Sequence, residues 1–267
     1  MIRQPAVAGQ FYPGSARQIE VELARLLTPV VALRKAIAVV VPHAGWMYSG
    51  ATAGIAYSNV QIPDRVILLG PNHHGLGGTY ALYDAGAWGT PLGEVPVAEP
   101  LAAELLDNCD LLSEDPTAHR REHCLEVQLP FLQRRNPHVR IVPLLIGDGV
   151  PSELRAIGET IAQVVRGYGQ PVLLVASSDL NHYEDQATSE RKDRLALEAL
   201  VALDEELLLK RVREHEITMC GVLPAYCVLV AAKKLGAKRA EVLDYRTSGV
   251  VSGDDAAVVG YGAVVIE

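Results

Sequence analysis

Residues 65–75 read RVILLGPNHHG. Val66, Ile67, Leu68 and Leu69 form an apolar run of strand length with no polar alternation. Such a run suits a strand buried on both faces, as in a parallel sheet. Gly70-Pro71 closes it with a turn signal, and His73, His74 and Gly75 follow. In an open α/β sheet, ligands bind beyond the carboxyl ends of the strands. The stretch therefore reads as a buried strand that delivers imidazoles to a pocket. The alternative is a loop with two solvent-facing histidines.

Recurrence favours the pocket. Residues 37–41 (IAVVV) run into Pro42-His43-Ala44-Gly45-Trp46, and residues 172–176 (VLLVA) run into Ser177-Ser178-Asp179-Leu180-Asn181-His182. If these three strands are neighbours in a parallel sheet, His43, His73, His74, Asp179 and His182 share one edge. Imidazoles that meet from different strands are what a metal site with open positions needs. Trp46, directly after the first turn, either lines the pocket or packs under the loop.

The rest of the chain alternates in the same manner. Ser15 and Gln18 form a capping pair ahead of Ile19, Leu23, Leu26 and Leu27 at helical spacing. A small-residue helix is expected to start near Ser49, and further helices over residues 100–106, 152–165, 190–209 and 221–233. Residues 140–146 (RIVPLLI) are a strand that Pro143 makes irregular or places near an edge. Residues 75–96 are Gly-rich and broken, and residues 242–245 and 258–266 read as closing strands. Strands alternating with helices predict an α/β fold, layered, with a largely parallel central sheet and helices on both faces. No repeat or linker divides the chain, so residues 1–267 are read as one domain.

Composition narrows the function classes. The chain has 32 acidic and 24 basic residues, a net charge of -8, and no long basic run, which argues against a nucleic-acid or anionic-membrane surface. No apolar run approaches the length of a spanning helix, and no secretory h-region opens the sequence. Cys109, Cys124, Cys220 and Cys227 form no C-x-x-C pair, so free thiols in a reducing cytoplasm are expected. No phosphate-binding Gly loop is present, hence no nucleotide cofactor. Ser177, Asp179 and His182 are local, but no G-x-S-x-G elbow surrounds either serine.

Two further stretches carry polar chemistry. In HRREHCLEVQLPF, residues 119–131, Glu122 and Glu126 are four apart, and a helix there would place both on one face. Cys220, in TMCG, stands at a helix entry, where the helix N-terminus favours thiolate. A single cysteine there also reads as a small buried hydrophobe.

Six strings, PAVAGQFYP, PHAGWMYSG, GPNHHG, EHCLEVQLPF, SSDLNHY and MCG, run in an order that resembles the Memo family across nearly the whole chain. The resemblance implies a fold similar to the class III (LigB-type) extradiol dioxygenases, with a pocket at the sheet edge. It implies metal ligands at His43, His73 and Cys220. Asp179 and His182 fall on the polar pocket wall, and His123 and Glu126 match the family's other polar positions. His74 is then a supporting residue. A partner from a radical-SAM protein family is also implied. Extradiol dioxygenases hold Fe(II) with two histidines and a carboxylate; a thiolate in the third position shifts preference toward Cu(I) or Zn.

Two functions are expected from these readings. The first is a redox protein binding non-haem Fe(II) or Cu, with Zn as a further candidate, and acting on an unknown small molecule. There His182 is the acid/base, Asp179 orients it, and Glu126 accepts a proton or braces a ligating histidine, with His123 beside them. The second is a non-catalytic module that binds metal or a peptide in the same pocket.

Overall fold

A nine-stranded sheet dominates the computed structural model, which describes residues 1–267. The chain begins with a two-residue strand, β1 (Ile2–Arg3), and the amphipathic α1 (Ala16–Leu26), whose Ser15 cap accepts from the Gln18 N–H. Then follow β2 (Ala38–Val41), α2 (Trp46–Asn59), β3 (Arg65–Pro71), β4 (Tyr80–Leu82), β5 (Ala87–Thr90), β6 (Gly93–Pro96) and α3 (Glu99–Asn108). Next come β7 (Ser113–Glu114), α4 (Pro116–His119), a 3-10 turn (Glu126–Gln128), α5 (Leu129–Arg135), β8 (Arg140–Ile146) and α6 (Pro151–Tyr168). The chain closes with β9 (Val172–Ser177), β10 (His182–Glu184), α7 (Gln186–Val201), α8 (Glu205–Glu214), α9 (Val222–Lys234), β11 (Ala240–Thr247), α10 (Gly249–Ser252) and β12 (Val258–Ile266).

The sheet runs β10-β12-β2-β9-β3-β8-β4-β7, with β11 also paired to β12. Its centre, β2-β9-β3-β8, is parallel, and the margins β12 and β4 are antiparallel to it. The chain crosses from β2 to β3 through α2 and returns from β8 to β9 through α6. These crossovers move in opposite directions, so right-handed connections put α2 and α6 on opposite faces. Both faces are thereby covered, and the central strands are buried almost throughout. A core of 75 buried residues spans the layers. The layered, largely parallel α/β arrangement is the one the strand patterns predict. No helix is long and apolar enough to cross a membrane.

Three local expectations change. The small-residue helix begins at Trp46 rather than Ser49. Trp46 is 4% exposed, its indole N–H donates to the Val127 carbonyl at 3.0 Å, and its ring lies 4.5 Å from Phe131. It packs under the loop and does not line the pocket. Pro143 sits inside the sheet because β4 pairs only with residues 144–146, and the next bridge on that side is at Ile141. The missing N–H falls between the two. The segment 119–131 is not one helix: α4 ends at His119, and residues 120–125 are irregular before the 3-10 turn.

That irregular path sends Glu122 and Glu126 to different places. Glu126 is fully buried beneath the N-terminal segment. Its carboxylate accepts from Arg3 Nη1 at 2.7 Å, the Ala6 N–H at 2.7 Å, the Val7 N–H at 3.0 Å and the Tyr12 hydroxyl at 2.9 Å. Arg3 also donates to the carbonyls of His119 and Glu122, at 2.7 and 2.6 Å, and lies 4.0 Å over the Trp88 ring. The start of the chain is thus a strap, clamped onto the segment that supports the pocket.

Candidate metal centre

The parallel strands β2, β3 and β9 all end at the same edge, so their following turns converge. His43 leaves β2, His73 leaves β3, and Asp179 and His182 follow β9. Two glycines permit the close approach. A Cβ on Gly70 would lie 2.5 Å from Cys124 Sγ and 2.7 Å from Leu125 Cδ2, so only glycine lets residues 122–125 press against the end of β3. A Cβ on Gly221 would collide with the Ser177 carbonyl and Ser178, which lets the Cys220 loop lie against the end of β9.

The ligand atoms of His43, His73 and His123 lie within 4.8 Å of one another. Ring centroids are 5.1 Å apart for His43 and His73, 5.5 Å for His43 and His123, and 4.7 Å for His73 and His123. Cys220 adjoins this cluster, with Sγ 3.2 Å from His43 Nε2. Of the expected set, His43 and His73 converge with His123 as a third imidazole, while Cys220 touches His43 at the margin of the cluster without joining that mutual group. His123 follows no strand end, so the strand pattern gave no reason to count it as a ligand.

Hydrogen bonds fix the imidazole tautomers. Ser177 Oγ donates to the Cys124 carbonyl at 2.7 Å, so it receives His43 Nδ1–H at 3.0 Å and Gln128 Nε2 at 3.0 Å. His43 Nε2 is left with its lone pair facing the cluster, where the Cys220 thiol donates to it. His73 Nδ1–H donates to Glu122 Oε1 at 2.8 Å. Glu122, fully buried, also accepts from the backbone N–H groups of His73 at 2.8 Å, His123 at 2.9 Å and Cys124 at 3.0 Å, and its Oε1 lies 3.3 Å from His123 Nδ1. A carboxylate behind a ligating imidazole fixes its orientation and raises its basicity. Glu122 does what was expected of His74, which is exposed and does not line the cavity. Glu126, expected to accept a proton or brace a ligating histidine, does not line the cavity and bonds no histidine, because the strap occupies its carboxylate.

Electrostatics suit neutral donors. Burial and the neighbouring His73 push His43 down to about 3. Burial and His43 push His123 down to about 4. Both rings are neutral near pH 7, the form that binds metal. Burial alone would raise the Glu122 carboxyl, but the His73 ring and the Cys124 N–H outweigh it and hold it well below the usual carboxylate range. The Cys220 thiol is pushed far up, by burial first and then by Asp179. Without metal, the thiol form is therefore favoured at Cys220, and binding a soft metal would release its proton. Cys220 precedes α9 by two residues, and its desolvation exceeds what the helix end supplies.

The cluster forms one wall of a cavity of about 740 Å³. Asp179 and His182 line it too. Asp179 Oδ1 accepts the His43 N–H at 2.7 Å and the Ala44 N–H at 3.3 Å, so it shapes the PHAG turn. His182 Nδ1–H donates to the Thr218 carbonyl at 2.9 Å, which leaves Nε2 as an acceptor. Phe11, from the strap, lies 4.6 Å from the His123 ring and closes the cavity on that side.

Comparison with known proteins agrees with this architecture. The chain is similar to a crystal structure of an uncharacterized protein, JW3007, from Escherichia coli K12, with a TM-score of 0.54 at 14% identity, covering 85% of this chain and 99% of that one. That likeness concerns the fold alone. A MEMO1 family protein of Methanosarcina barkeri is 40% identical over 100% of both chains. Another from Methanopyrus kandleri is 39% identical over 99% of both. The model of the Memo-like protein family matches residues 3–265, and the chain belongs to that family.

Proposed function

We propose that this protein binds a redox-active metal, non-haem Fe(II) or Cu, and acts on a small molecule in the adjoining cavity. The observation that carries the reading is the three imidazoles with ligand atoms within 4.8 Å, two of them oriented from behind by Ser177 and Glu122. This donor set fits a late first-row metal, and Cys220 adds a soft donor at its edge. When bound, the metal would supply redox and Lewis-acid chemistry. The residues of the chain do the rest. His182, with Nδ1–H tied to Thr218, takes a proton at Nε2. Asp179 holds the His43 turn in place. Phe11 limits access of water to the imidazoles.

A second reading, a module that binds metal or a peptide without turnover, is favoured by one observation. The imidazole triad contains no carboxylate, unlike the two-histidine, one-carboxylate set of non-haem oxygenases. One experiment separates the two. Purified protein is reconstituted anaerobically with Fe(II) or Cu(I), and oxygen consumption is followed across a panel of catechols and related phenols. Binding abolished by His43→Ala, with substrate-dependent oxygen uptake, supports the redox reading. Tight binding without uptake supports the module. Metal binding unchanged by His43→Ala refutes the redox reading and the metal-binding form of the module.

A further inference from the structure

No lysine or arginine lines the cavity. Its formally charged side chains are two carboxylates, Asp179 and Asp254, and three of its aromatic rings are tyrosines, Tyr48, Tyr183 and Tyr261. An anionic ligand would meet no permanent positive charge from the protein in this wall. An organic cation would meet carboxylates and ring faces, the two features that receive an ammonium group.

Two details of this wall bear on what it receives. Asp179 is 5% exposed, and both of its protein hydrogen bonds fall on Oδ1, from His43 and Ala44. Oδ2 accepts none from the protein. That oxygen is open to the cavity, where a donor on a ligand can take the place of water. Tyr183 is 78% exposed yet holds a left-handed backbone, φ 61°, directly after His182. An aromatic residue rarely adopts this conformation, and such strain concentrates at ligand clamps.

We propose that the ligand of this cavity is an organic ammonium ion, received by the carboxylates of Asp179 and Asp254 against the rings of Tyr48, Tyr183 and Tyr261. The inference rests on reading the cavity as a small-molecule site beside a metal centre, and it names the ligand's charge class. Asp254 follows α10, far in sequence from the segments that bear the imidazoles. Its Oδ1 accepts only the nearby Ala256 N–H at 2.9 Å, so its substitution leaves the metal donors intact.

The test uses three probes of one shape: tyramine (cationic), 4-ethylphenol (neutral) and 4-hydroxyphenylacetate (anionic). Each is titrated calorimetrically into full-length protein, both metal-free and loaded with redox-silent Zn(II). Tyramine should bind metal-free protein at least about tenfold more tightly than 4-ethylphenol, with the carboxylate weakest. Asp254→Asn and Tyr183→Leu, both at exposed positions, should each cut the advantage of the amine over the neutral probe about threefold or more. Equal binding of the three probes, preference for the carboxylate, or an amine preference that survives both substitutions overturns the proposal. Failure to bind Fe(II) would sink the metal reading alone, because the amine preference is read on metal-free protein.

Discussion

Glu122→Gln tests whether the carboxylate behind the imidazoles sets the metal affinity. Glu122 Oε1 faces His73 Nδ1–H and the N–H groups of His123 and Cys124, while Oε2 faces the His73 N–H at 2.8 Å. Glutamine offers one acceptor oxygen. Placed at the Oε1 position it keeps three donors satisfied, but its amide nitrogen then points at the His73 N–H, donor against donor. Placed the other way it faces three donors at once. Either arrangement strands at least one buried N–H, at about 1–3 kcal/mol of fold stability. It also removes the charge that polarises the His73 ring. Loss of such a supporting partner weakens metal binding about 10–100-fold, or about 1.4–2.7 kcal/mol. Competition against a chromophoric chelator, with Zn(II) and with anaerobic Fe(II), measures the affinity, and circular dichroism confirms the fold. Affinity within about twofold of wild type in a folded variant would refute the orienting role.

Three other perturbations separate scaffold from site. Glu126→Gln should cost about 3–5 kcal/mol in urea unfolding, because it leaves the Arg3 charge buried without its partner. A double-mutant cycle with Arg3→Met should recover much of that loss, and metal affinity should stay within about twofold; a large affinity loss in the folded variant would return Glu126 to the site. His119 is buried and pushed down to about 3, chiefly by burial, against an ordinary value of 6.5. A depressed folded value means its stabilisation is present above about 6.5 and is lost as the pH falls, about 2 kcal/mol between about pH 7 and about pH 5. Unfolding of metal-free wild type and His119→Gln at the two pH values should differ by roughly that amount, and parallel losses would exclude His119 as the cause. Cys220→Ser should weaken Cu(I) at least about tenfold more than Fe(II), since only the soft ion gains strongly from a thiolate. Equal effects on both ions would show that the thiol is not a ligand.

The sequence announces the parts of the site that ride on regular structure. Unbroken β-branched and leucine runs marked β2, β3 and β9, and the residues after each run, His43, His73, Asp179 and His182, do line one cavity. Periodicity could not reach the segment from Arg120 to Leu125, which has no repeating pattern because it is neither helix nor strand. Its placement depends on tertiary contacts: Gly70 making room for Cys124, Arg3 gripping the Glu122 carbonyl, and Ser177 receiving His43 while binding the Cys124 carbonyl. The four-residue spacing of Glu122 and Glu126 suggested a shared helical face, and local pattern alone could not reveal that the chain turns between them. His74 misled for the opposite reason. Adjacent histidines look alike in sequence, and only the direction of the chain after Pro71 turns one toward the cavity and the other to solvent.

One consequence of this construction links folding to function. His43 and His73 come from strand ends that the sheet itself fixes, but His123 and the carboxylate of Glu122 come from an irregular segment. That segment is anchored by buried polar contacts: Arg3 to the carbonyls of His119 and Glu122, Ser177 Oγ–H to the carbonyl of Cys124, and Gln128 to the Pro42 carbonyl at 2.9 Å. Buried polar networks are sensitive to partial loss, because each unpaired member carries its full desolvation cost. The strap that supplies Arg3 also supplies Phe11 to the cavity wall. Detaching the first residues would therefore loosen the third imidazole and open the cavity at once, while β2, β3 and β9 stayed in place. Metal affinity should fall before global stability does, and in this fold the N-terminal segment is as much a part of the site as the histidines it covers.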